Sequence, residues 1–303
     1  MKKIFLAGLA ILSMSTAAFA GPIDLPPDGG VYIKFNNFEL ADLGGILTGD
    51  APTNSLVIPG GYDGTNTQGN WGVALIKTLD TGVPTAPHDD LDLDSPPIFA
   101  DIFSGGQITA IFGGIQLTSL HTATGGWMDL WWHDSTGLGD PTNININLTA
   151  PTAASVAKLT TDNGGVFLAR INFTPGVLGT ASDGNDCTTT IFTQSVLNGT
   201  GVGVANSFAD IDTTKVGAWT STLNGDWFDN PCGARSDVRF KNSYELLNAG
   251  PWKGDYAAGG NIIGLRSDDP ARAFTVPEPM TLGLLGMGLA GLGVRMRRRT
   301  NVN

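Results

Sequence analysis

The chain has 303 residues, 42 of them glycine, with 17 Lys plus Arg against 28 Asp plus Glu and a formal net charge of −11. Between Gly21 and Thr275 the balance is 11 basic to 27 acidic residues, a net −16, which argues against nucleic acid or an anionic membrane surface as a partner and for solubility, cation binding or both. About 255 residues suffice to bury a core in one large β domain or two small ones.

In chain order, Lys2 and Lys3 precede an apolar run from Ile4 to Leu12, and Ala18-Phe19-Ala20 supplies an A-x-A cleavage pattern before Gly21. This reads as a secretory signal peptide over residues 1–20, because the apolar run is shorter than the ~20 residues that a spanning helix needs. The exported part is then residues 21–275. Glycine and proline interrupt short apolar runs throughout it. Strands are predicted at 31–38, 71–79, 98–103, 107–120 (a hairpin about Gly113 and Gly114), 127–133, 143–148, 166–173, 201–211, 215–223, 238–247 and 261–266. Residues 48–70 and 179–190 read as long loops, and 155–158 as a helical turn. Many short strands separated by turn residues indicate an all-β fold, an antiparallel β-sandwich or jelly roll. In 166–173, alternation places Phe167, Ala169, Ile171 and Phe173 on the core face.

Three groups of residues could carry chemistry. In residues 88–101, Asp90, Asp92 and Asp94 at spacing two, with Asp101 in the twelfth position, partly imitate a calcium loop, since alternating carboxylates supply the hard oxygens that Ca²⁺ requires. Ser95 stands where the sharp-turn glycine belongs, so a solvated acidic loop or edge strand is the other reading. In 127–133, Trp127, Asp129, Trp131 and His133 share one face and Met128, Leu130 and Trp132 the other. The second set is predicted core. The first has two indoles about 13 Å apart with a carboxylate between them, suited to the faces and hydroxyls of sugar rings, or else covered by another layer of protein. Cys187 and Cys232, the only cysteines of an exported chain, are read as one disulfide.

Catalytic signatures are missing. There is no H-E-x-x-H, G-x-S-x-G or Walker loop, and "GVGVAN" (201–206) lies in a β-rich stretch rather than a βαβ unit. His88, His121 and His133 are scattered, and Glu39 and Glu245 are the only glutamates before residue 276. Paired carboxylates for glycoside hydrolysis depend on the fold and stay open.

Val276, Pro277, Glu278 and Pro279 are followed by fourteen uncharged residues, 281–294, and then by Arg295, Arg297, Arg298 and Arg299. As a helix those fourteen would reach about 21 Å, short of a hydrocarbon core of about 30 Å. The arginines would stay cytoplasmic and leave the rest outside. The order of motif, short apolar helix and Arg cluster over residues 276–303 resembles the PEP-CTERM sorting signal. That resemblance implies an exosortase-type processing enzyme as partner, a transient membrane contact through 281–294, export across the inner membrane of an exopolysaccharide-producing Gram-negative bacterium, and residence at the cell surface or in the extracellular matrix. The expected function is therefore a non-enzymatic exported protein associated with exopolysaccharide, with no cofactor. The alternatives are a carbohydrate-binding module using Trp127, Asp129 and Trp131 with a calcium ion at Asp90, Asp92, Asp94 and Asp101, or a secreted glycoside hydrolase.

Overall fold

The computed structural model describes residues 23–64, 66–101, 106–134, 150–160, 165–176, 187–193, 201–268 and 270–276. The signal peptide, the predicted strand at 143–148 and the tail beyond Val276 lie outside them. The strands are β1 (Gly29–Asp42), β2 (Asn70–Pro84), β3 (Leu91–Ala100), β4 (Gly106–Leu117), β5 (Thr122–Asp134), β6 (Val166–Thr174), β7 (Ile191–Thr193), β8 (Val202–Ile211), β9 (Phe228–Asp229), β10 (Arg235–Ser236), β11 (Val238–Leu247), β12 (Ile262–Ser267) and β13 (Pro270–Thr275). Two short helices, α1 (Ala153–Leu159) and α2 (Thr220–Leu223), complete the set.

The fold is all-β and antiparallel, as the strand pattern implies. Its main sheet also returns on itself. β1 pairs β2, β2 pairs β4, and β4 pairs β5. β5 pairs β6 and β7, both of which pair β8, and β8 pairs β11. β11 pairs β12 and β13, which sit end to end along the free side of β1 and close the ring. Closure satisfies the ladder that an open sheet leaves bare.

Strand alternation then sorts side chains into lumen and exterior. Val31, Ile33 and Phe35 of β1 meet Ile108, Ala110 and Phe112 of β4, Met128, Leu130 and Trp132 of β5, and Phe240 of β11 in the inner core. The opposite faces of β1, β2, β4 and β5 are apolar too, and bury Phe38, Trp71, Val73, Ile111 and Trp127 beneath an outer layer. Leu56 and Ile58 of the long loop, Val156 and Leu159 of α1, and Trp252 form that layer. α1 starts where Thr152, in an extended conformation, accepts a hydrogen bond from Ser155 N through its side chain.

Four sequence expectations change. The expected hairpin at Gly113 and Gly114 is instead a bulge inside continuous β4, where Gly72 faces Phe112 and Asn70 faces Ile115. Gly114 makes the kink with φ of 69°, a region open to glycine. A second irregularity between Leu130 and Trp131 of β5 pairs Leu130 with Ala169 but Trp131 with Phe167, so Phe167 leaves the core face and Leu168 enters it. Residues 215–223 end in the helical turn α2 rather than forming a strand. The predicted 98–103 strand starts earlier, as β3 at Leu91.

One inward residue of β1 is ionisable. Glu39 is half-buried, its carboxylate accepting from Asn70 Nδ2 at 3.1 Å, and burial raises its pKa to about 7 against that hydrogen bond. The unfolded chain releases this proton near pH 4.5 while the folded protein keeps it, so stability should fall as pH rises from 4.5 to about 7 and level off above. The expected loss is at most about 3 kcal/mol. Urea melts of wild type and Glu39→Gln across that window measure it; equal slopes for the two proteins would contradict the assignment.

Candidate functional site

The outer face of β5 and β6 carries the densest polar cluster. Strand register sets Asp129 opposite Arg170, and the guanidinium grips the carboxylate at both ends, with Nε to Oδ1 and Nη2 to Oδ2 each 2.6 Å. Tyr62, delivered by the long loop before β2, donates to Asp129 Oδ2 at 2.8 Å and receives a hydrogen bond from Trp131 Nε1 at 3.2 Å. Arg170 also lies over the Trp127 ring, 4.3 Å from its centroid, and reaches Asp63 Oδ1 at 3.2 Å. Lys215 meets the same Asp63 oxygen.

The electrostatics follow from this packing. Burial works against the charged guanidinium of Arg170, yet the carboxylates of Asp129 and Asp63 outweigh it and raise the pKa above the usual arginine value. Tyr62 is pushed up by burial and by the Asp129 charge beside it. Burial lowers the pKa of His133, on the same face, which favours its neutral form. Its Nε2 lies 2.9 Å from Thr109 Oγ1 and 3.1 Å from Leu159 O.

The structure therefore brings Trp127, Asp129 and Trp131 together, but beneath other side chains. Trp127 is 9% and Asp129 3% exposed, while Trp131 stays half-buried with its ring edge-on to Phe167 at 5.2 Å. The second layer turns the strand face into an ion-paired seam instead of a flat aromatic surface. Arg170 and Tyr62, which complete the cluster, were not singled out as site residues from sequence.

The acidic run 88–101 is mostly edge strand. Asp90 turns inward to Arg272 Nε at 2.9 Å, Arg239 Nη1 at 3.5 Å and the ammonium of Lys241. Burial raises its pKa, but these three cations prevail and hold it below the ordinary carboxylate range. Asp101 is turned to Lys77 at 2.9 Å and Gln107 at 3.0 Å, whereas Asp92 and Asp94 are exposed along β3. Three cations around Asp90 oppose a divalent ion, and among the described residues no three His, Cys, Asp or Glu side chains gather as metal ligands. Charges along β3 suit an edge strand, because they discourage pairing with another chain.

Cys187 and Cys232 form the expected disulfide, with Cα atoms 5.7 Å apart. It ties the segment before β7 to the turn between β9 and β10, where Cys232 N donates to Asn230 Oδ1 at 2.8 Å.

β13 ends at Thr275, and Val276 N donates to Thr222 O at 2.8 Å, so the barrel wall leads into the tail without a linker. Residues 277–303, including the apolar stretch 281–294 and the Arg cluster, lie outside the described residues. No curated protein and no solved structure matches the chain. A family model described as the PEP-CTERM protein-sorting motif matches residues 275–299. The chain thus carries a PEP-CTERM sorting signal, which implies export, transient membrane anchoring and sorting by an exosortase-type enzyme.

Proposed function

We propose that the protein is a non-enzymatic component of the cell surface or extracellular matrix, associated with exopolysaccharide once its sorting signal has been processed. The observation that carries this reading is the junction at Thr275 and Val276: the sorting motif begins on the final residue of the strand that closes the barrel. What the signal delivers is one covalently braced β domain. Its buried carboxylates are occupied structurally, Asp129 by Arg170, Asp42 by Thr53, Ser55 and the Gly44 amide, and Asp237 by the amides of Ile211, Gly225 and Asp226. Such groups organise loops and strand ends, which fits a durable scaffold better than a general acid and base.

The test is the intact mass of the protein recovered from the surface, the matrix and the medium of the producing cells. The expected species lacks Met1–Ala20 and everything beyond about Pro279, and is enriched in the exopolysaccharide fraction. A species that retains Arg295–Asn303, or a processed one found wholly free in the medium, would sink the proposal.

A further inference from the structure

The lumen changes character along its length. Inward residues of β1 run Val31, Ile33, Phe35 and then Asn37, Glu39, Ala41. At the second level the opposite wall also loses bulk, since β8 sets Ala205 and Ser207 beside Asn242 and Phe240 of β11. A barrel of about eight strands is filled only if its inward side chains are large enough to meet, and otherwise holds one small ligand. Here they leave a cavity of about 130 Å³, close in size to one that admits benzene.

Its walls are apolar, with Phe35, Phe112, Met128, Phe240 and Leu265 among the lining residues. A polar patch interrupts them. Asn70 is 7% exposed and spends its Nδ2 on Glu39, while its Oδ1 has no hydrogen-bond donor. Asn242 Oδ1, on the same cavity, has none either. Buried acceptors are nearly always satisfied, so two orphans on residues that line one apolar space point to a donor supplied from outside the chain. The rim at Leu117, Ser119, Leu120 and Thr193 is half-buried, which gives the cavity a way to the surface beside the β4–β5 turn.

We propose that this cavity binds a small apolar molecule with a hydrogen-bond-donating head, of the size and chemistry of a phenol. The ring replaces the side-chain bulk missing from β8. The hydroxyl donates to the carbonyl oxygen of Asn70 or Asn242, and Glu39 is a positioning residue that holds the Asn70 amide with its oxygen free. The proposal is independent of how the sorted protein associates with its surroundings.

Titration calorimetry with phenol on the protein purified from the cells that export it tests the idea. Saturable one-site binding is expected, with anisole, which keeps the ring but loses the donor, at least about tenfold weaker. Ser207→Leu, which pushes bulk into the lumen, should abolish binding while leaving the circular dichroism spectrum native. If that variant does not fold, Ala205→Ile makes the same test from the neighbouring inward position. No saturable phenol binding would mean that the cavity holds only water, and would overturn the proposal. So would anisole binding as tightly as phenol, or a folded, filled variant binding within twofold of wild type.

Discussion

Replacing Arg170 with Met is expected to lower the stability of the barrel by about 3–5 kcal/mol, the usual cost of removing one partner from a buried ion pair. The guanidinium and the carboxylate side chains are only 7% and 4% exposed, so water cannot take over the charge of Asp129 when Arg170 is lost. The Tyr62 hydroxyl would remain as a donor to that carboxylate, and one neutral donor compensates a buried charge poorly. Trp127 would lose the cation above its ring as well. At about 2–4 °C per kcal/mol for a domain of this size, the melting temperature should fall by roughly 10 °C. The double variant Asp129→Leu/Arg170→Met removes both charges and should recover most of the loss. Thermal melts of the single and double variants decide it. A single variant within a degree or two of wild type would show that the pair contributes nothing net.

The second large effect belongs to the disulfide. Opening the Cys187 to Cys232 link, with a sequence separation of 45, by Cys187→Ser/Cys232→Ser should cost up to about 4 kcal/mol through the entropy regained by the unfolded chain. The double replacement avoids leaving a free thiol that could cross-link molecules. Urea melts of wild type, of wild type under reductant and of the serine variant should place the last two together and below the first. If reduction leaves the melting curve unchanged, the link does not constrain the unfolded ensemble as argued.

The sequence made the class of fold readable because alternation is local. In residues 127–133 it separates Met128, Leu130 and Trp132 from Trp127, Asp129 and Trp131, and the structure keeps that division. Alternation fails where a ladder slips by one residue. At the β5–β6 irregularity Phe167 and Leu168 exchange faces, and at Gly114 two neighbouring glycines bend a strand that they would equally have served to reverse. The polar cluster was only half legible. Trp127 and Asp129 stand close together in the chain, but Arg170 is 41 and Tyr62 67 residues from Asp129, and only strand pairing and a folded loop bring them together. The acidic repeat 90–94 was legible as an acidic edge strand, one of the two readings its spacing allows, but its partners were not. Its spacing suits a cation, but Lys241, Arg239 and Arg272 reach Asp90 from strands far along the chain.

The seam between β1 and β13 sets an order of events. Gly29 pairs with Thr275 and Lys34 with Pro270, so strands from the two ends of the domain must find each other. Contacts this distant form slowly, because a long loop has to be ordered before they return any energy. Until β12 and β13 dock, one side of β1 has no ladder and the ring stays open, a gutter exposed to other chains. The residues that shut it are the last before the sorting motif, so the ring is complete only when the whole domain is present.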